Sequence, residues 1–197
     1  MLMELEEQSI CIDCGLCCDG TMFHAIDLEP SDDVDPLRER GAVLVTDSVS
    51  RRYQQPCVAF DGTCCTVYES RPTTCRTYTC ALLASVNNGD TSVADAQVVI
   101  RRARELSAIV RDCLDPAVES DVIRLGRHGL STYLGIMKNQ YEHDRLEAAF
   151  PEAAELIVLL RETFGWTNRV AADSRTASVE VRHLPSSKGA ARSTPSF

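Results

Sequence analysis

The sequence predicts an α+β protein: a small, irregular, cysteine-rich metal domain with a short β-hairpin, followed by three to four helices. Three observations predict it. Nine of the ten cysteines in the 197 residues lie before residue 81. Short β-branched runs and the turn signal Asp61-Gly62 occupy the same region. Helical periodicity takes over after Ser92. The expected division is a cysteine-cluster domain over residues 1–90, a helical region over 91–166 packed on it, and a disordered tail over 167–197.

Residues 1 to about 26 hold the first cysteine cluster and read as loop with at most a short helical turn. A short helix is expected over 29–41, with acids in its first turn and Gly41 at its end. Ala42 to Thr46 reads as a strand and Val49 to Gln54 as a weaker one. Cys57 to Phe60 and Cys64 to Tyr68 read as two strands about the Asp-Gly turn, which brings Cys57 near Cys65. Arg71-Pro72 starts a helix that carries both Cys75 and Cys80, since proline suits a first helical turn. Ser92 with Asp95 resembles a cap for a helix to about Leu114. Further helices are expected after Asp115-Pro116, over about 131–143, and from Pro151 through Phe164, closed by Gly165. The tail has five basic and two acidic residues and no sustained period.

Composition narrows the function classes. The chain is 44% hydrophobic and 25% charged, which suits a globular protein able to bury a core without metals. A net charge of -9 argues against nucleic acid and anionic membrane as partners. The densest apolar run, Leu156 to Leu160, is too short to span a bilayer. The acidic start, Met1 to Glu7, is not a secretory signal, so a cytoplasmic, reducing setting is expected. Clustered cysteines in that setting point to metal chemistry rather than disulfides. Phosphate-loop, GxSxG, HExxH and dinucleotide motifs are absent.

The first cluster reads Cys11-Ile12-Asp13-Cys14-Gly15-Leu16-Cys17-Cys18. Thiolates two residues apart grip one ion while the intervening N–H groups offset their charge, and Gly15 permits the positive φ of such a knuckle. The C-x2-C-x2-C spacing also suits an iron–sulfur cluster. Adjacent Cys17 and Cys18 point to opposite sides in an extended backbone, so one four-cysteine site from this segment alone is disfavoured. Cys57, Cys65, Cys75 and Cys80 are the further candidates, with Cys75 favoured as thiolate by an early helical position and by Arg71 and Arg76. Sequence leaves iron–sulfur and zinc both open, with a slight lean to iron–sulfur.

The CxxCxxCC run, together with Cys57-Val58-Ala59-Phe60 and Cys65-Thr66-Val67-Tyr68-Glu69-Ser70-Arg71-Pro72-Thr73-Thr74-Cys75-Arg76-Thr77-Tyr78, resembles the bacterial YkgJ-type cysteine-cluster family, described as zinc- or iron-chelating. Flagellin lysine N-methylases are similar in the same region. The resemblance covers about residues 8 to 82. It implies metal ligands at Cys11, Cys14, Cys17, Cys18, Cys57, Cys65 and Cys75, with Cys80 an eighth. A protein-lysine methyltransferase is the alternative it suggests, although no catalytic motif is seen. Electron transfer, metal handling and redox sensing are the roles expected of a non-enzymatic module.

Other residues have blander expectations. Cys113 sits at an apolar helical position and reads as core. Cys64, doubled beside Cys65, is evenly balanced between structural thiol and accessory ligand. His24 is unnecessary as a ligand where thiols suffice, and His128, His143 and His183 read as solvated. Tyr68 and Tyr78 flank the second cluster, as shields or core residues, and Phe164 and Trp166 read as packing anchors. The Asp32-Asp33-Val34-Asp35 stretch lacks a calcium-loop pattern and reads as a charged helix start.

Overall fold

Short β-branched and aromatic segments early in the chain pair into a sheet, and apolar periodicity late in the chain forms helices. A computed structural model describes residues 10–46, 50–112, 130–131, 134–135, 138 and 143–167. The sheet has three antiparallel strands, β1 (Ala25–Asp27), β2 (Leu44–Thr46) and β3 (Arg51–Gln54), in the order β1-β3-β2. Tyr53 stands opposite Ile26 on one side and Leu44 on the other. That row puts its apolar side chains on one face, where Tyr53 is fully buried. The architecture is α+β. β1 was not expected, because three residues are too few to show a period. Its pairing with β3 places it.

The expected helix over 29–41 shrinks to α1 (Asp35–Arg38), with Pro36 in its first turn. The acids upstream form local turns instead. Asp32 accepts from Glu29 N at 2.8 Å and Asp33 from Asp35 N at 3.0 Å. Leu37 is the one buried residue of α1. The expected strands on either side of Asp61-Gly62 reduce to a bridge between Phe60 and Cys65. The turn itself forms, with Asp61 accepting from Thr63 N and Cys64 N.

The single helix expected to carry both Cys75 and Cys80 is two helices, α2 (Thr73–Thr77) and α3 (Ala81–Asn87). Between them Tyr78 and Cys80 have extended backbone. Cys80 caps α3, its Sγ accepting from Leu83 N at 3.4 Å. The cap of α2 comes from a distant segment. Asp32 Oδ1 accepts from Thr73 N at 2.8 Å and from Thr73 Oγ1 at 2.7 Å. Arg51 fixes that acidic turn by donating to the carbonyls of Glu29 and Asp32.

α4 (Val93–Asp112) begins as expected, with Ser92 Oγ accepting from Asp95 N and donating to the Asp95 carboxylate. It buries Ala96, Ile100, Ala103, Leu106, Ser107 and Val110 on one stripe. α5 (His143–Ala149) and α6 (Pro151–Glu162) follow, and α6 packs on both α4 and α5. Gly165, at φ +71°, closes the end of α6 as expected. The helix expected after Asp115-Pro116 and most of the one over 131–143 lie outside the described residues, as do Cys113, His128, His183 and nearly all of the tail. No described helix is long and apolar enough to cross a membrane.

Two cores result. One joins Ile10, Leu16 and Met22 to Leu82 and the buried stripes of α4 and α6, with Phe164 and Trp166 as the anchors expected. The other gathers Ile26, Leu28, Val34, Leu37, Tyr53, Cys57, Ala59 and Val67 around the sheet. Phe23 packs against both.

Burial alone raises the Asp32 carboxyl, but the hydrogen bonds from Thr73 and Glu29 outweigh it and hold its pKa below the ordinary 3.8. Its stabilisation is complete above that ordinary value and is lost as the pH falls through the lowered one. Asp32→Ala is expected to cost about 1 kcal/mol at neutral pH. Denaturant melts at pH 7 and in strong acid check this, and the difference from the unaltered chain should shrink in acid.

Candidate metal centre

Residues 10–14 are helical, and the chain turns at Gly15. Gly15 has φ +65°, as the CxxCG spacing leads one to expect. A Cβ there would stand 2.5 Å from the ring of Phe60. Glycine is therefore required twice, for the turn and for the close approach of the second cysteine segment. Beyond it, Cys18 N and Asp19 N both donate to Gly15 O.

The polar backbone of this loop is tied down on both sides. Arg104 donates to Asp13 O at 2.6 Å and Arg111 to Asp19 O at 2.7 Å, both from α4. Ser131 N donates to Gly20 O and Trp166 Nε1 to Met22 O at 3.1 Å. On the sheet side, Cys57 N donates to Cys18 O at 2.7 Å and Gln55 N to His24 O at 3.0 Å. Carbonyls that would otherwise be left unpaired are met by fixed donors, so the loop holds one path. Arg104 also reaches Gly62 O, which links the loop to the Asp-Gly turn. Arg104 and Arg111 went unnoticed in the sequence, where they are solvated members of an amphipathic helix. Their seven-residue spacing, which puts them on one face, is the signal that was there.

All eight candidate cysteines line one cavity of about 230 Å³, with Phe23, Tyr53, Arg71 and Tyr78. Each of them is a free thiol. They fall into two neighbourhoods. Cys14, Cys17 and Cys80 pack against the helical core, whereas Cys18, Cys57, Cys65 and Cys75 belong to the sheet core. As placed, no three His, Cys, Asp or Glu side chains among the described residues form a group that holds a metal ion. The sulfurs share a cavity and not yet a coordination sphere.

Electrostatics acts within both neighbourhoods and across them, since Cys18 also raises Cys17. Burial, helped by Cys80 and Cys11 and opposed by a hydrogen bond from the Leu16 backbone, pushes the Cys14 thiol up to about 12. Cys17 is raised by burial and by Cys14, Cys18, Cys80 and Cys11. Burial and then Cys57, Cys75 and Cys65 push Cys18 up to about 12. Cys11 lies at the rim, yet it is shielded enough to be raised, with Cys80 adding to the shift and Arg71 opposing it. For Cys75, burial outweighs the early helical position and Arg71, so its thiol is raised where the sequence favoured a thiolate. The cavity therefore resists negative charge on its own. A bound cation reverses that, and an all-sulfur donor set suits zinc, iron and iron–sulfur clusters.

The sequence marks Tyr53 only as a strand residue. Its hydroxyl lies 3.3 Å from Cys75 Sγ, and it also stabilises a charged Cys57 by hydrogen bonding. Its burial at an inward strand position was the available signal. Tyr78 lines the cavity with the thiols, and burial, helped by the charges of Cys17, Cys80 and Cys14, raises its hydroxyl. Its ring meets Phe23 edge to face at 4.9 Å. Tyr68 instead supports Arg71, whose guanidinium stacks 3.6 Å from the ring centroid. Arg76, expected near the thiols, turns to Thr73 and favours the charge on Asp32. Cys64 also lines the cavity but is exposed, and its Sγ donates to the Asp61 carboxylate at 3.5 Å. His24 contributes its backbone carbonyl to the loop.

Two substitutions test this architecture. Gly15→Ala combines a strained φ with the Phe60 clash and is expected to cost about 1–3 kcal/mol, read by denaturant unfolding. Arg104→Ala should speed amide exchange over residues 10–22 and 61–64 while leaving α4 protected, read by hydrogen-exchange mass spectrometry.

Residues 10–102, a little under half of the chain, match the family model CxxCxxCC, described as a "putative zinc- or iron-chelating domain". No curated protein and no solved structure matches the chain. The matched span contains every thiol that lines the cavity, and over that span the chain is similar to the CxxCxxCC family.

Proposed function

We propose that this protein binds an iron–sulfur cluster or zinc through Cys11, Cys14, Cys17, Cys18, Cys57, Cys65, Cys75 and Cys80, and serves in electron transfer, metal handling or redox sensing. One observation carries the reading: thiols from two segments some 40 residues apart in sequence line one cavity. Buried thiols with raised pKa values are costly to ionise together, and a soft cation is the partner that makes the arrangement favourable. The C-x2-C-x2-C spacing of Cys11, Cys14 and Cys17 supports the lean to iron–sulfur.

The residues around the thiols have definite tasks under this reading. Tyr53 donates to the sulfurs of Cys57 and Cys75. Arg71 offsets part of the thiolate charge. Phe23 and Tyr78 keep water from one side of the cavity, which strengthens every charge interaction inside. Each ligand thiol must release its proton to bind, so affinity rises with pH. A bound cluster supplies reversible one-electron chemistry, and a bound zinc supplies cross-linking of the loops.

Anaerobic isolation followed by metal and sulfide analysis tests the reading. Brown protein with iron and sulfide supports the cluster, colourless protein with stoichiometric zinc supports the structural site, and neither metal contradicts both. Cys14→Ser and Cys75→Ser should each lower the metal content. Cys113→Ser should leave it full, and a site emptied by that change would refute the ligand set.

A further inference from the structure

We infer that the eight cysteines form two separate four-thiolate sites, Cys11, Cys14, Cys17 and Cys80 in one and Cys18, Cys57, Cys65 and Cys75 in the other, joined through the Cys17–Cys18 peptide bond. This rests on the reading that the cysteines bind metal and goes beyond it by assigning the number of centres and their members.

The packing carries the division. Cys14, Cys17 and Cys80 sit against the helical core, and Cys18, Cys57, Cys65 and Cys75 against the sheet core, with no cysteine in both. Cys11 belongs to the helical set by position, three residues before Cys14 in the helical turn over 10–14. Neighbouring residues in a bent loop send their side chains apart, so Cys17 and Cys18 enter different cores. The chain also supplies the sets differently. The helical site takes three thiols from one short loop and a fourth from the start of α3, where Cys80 caps the helix. The sheet site takes one from that loop, two from either side of the Asp-Gly turn, and one from α2. Backbone bonds hold its members together: Cys57 N donates to Cys18 O, and Cys65 bridges to Phe60.

Tyr53 contacts Cys75 in the sheet set at 3.3 Å. Four thiolates per site match the number that a tetrahedral zinc or a cubane cluster takes from protein.

Anaerobic zinc titration of the full chain under reductant tests the division. Zinc serves as the probe because it counts four-thiolate sites directly. The unaltered chain should take up two equivalents. Cys14→Ala and Cys80→Ala should each retain one, and the two together should still retain one, because both remove the same site. Cys57→Ala and Cys75→Ala should behave likewise as a pair. Cys14→Ala with Cys75→Ala should retain none. The division is overturned if the unaltered chain takes up one equivalent. It is also overturned if pairs within a set and across sets lose zinc equally. Cys57→Ala stands beside Cys75→Ala because the latter lies in a five-residue helix, and far-ultraviolet circular dichroism shows which variants remain folded. No zinc bound by the unaltered chain, with neither iron nor sulfide in the anaerobically isolated protein, would overturn the metal reading itself, a result distinct from any pattern among the variants.

Discussion

Crowded sulfur is the constraint on which the rest of this structure depends. Thiols from two segments are held in one largely apolar space, and burial together with their mutual repulsion keeps them from ionising. Arg71 opposes this for Cys11 and Cys75. Such a cavity is stable as neutral thiols or as thiolates around a cation, and unfavourable in between. The fold is arranged to keep both options in place without collapse.

The arrangement works because neither cysteine segment is free to move alone. The first loop is anchored by its backbone carbonyls, to Arg104, Arg111, Ser131 and Trp166 on one side and to Cys57 on the other. The second segment is fixed by the Asp-Gly turn, by the bridge at Phe60, and by the capping of α2 from Asp32. Helices that hold no candidate ligand therefore matter to the site. α4 acts as a splint along the first loop, and α6 gives α4 a core to rest on.

Much of this was legible in the sequence, and most of the parts that were not share a cause. The α+β class, strands β2 and β3, the Asp-Gly turn, the Ser92 cap, the Gly165 stop and the left-handed Gly15 all follow from local patterns. β1, the break at Tyr78–Cys80 and the retreat of α1 do not. The first two are set by a partner far along the chain, Tyr53 for β1 and Phe164, which accepts from Ala81 N, for the start of α3, whereas α1 retreats because Asp32 and Asp33 form local turns. Asp32 shows the same limit. Its acidic neighbourhood reads as a helix start, yet it caps a helix 41 residues away. The cysteines were visible as candidates because spacing marks them. Their grouping was not, since it depends on which core each side chain enters.

The matched family span covers the thiols and the start of α4, and the rest of the helical half lies beyond it. The central claim is that the eight sulfurs are held around metal and not merely near one another. Thiol alkylation of the anaerobically isolated, folded protein, counted by intact mass before and after chelation, tests it most directly. The account predicts that Cys11, Cys14, Cys17, Cys18, Cys57, Cys65, Cys75 and Cys80 are protected until the chelator removes the metal, while Cys64 reacts at once. Equal reactivity with and without chelator, or recovery of those residues as disulfides, would contradict it.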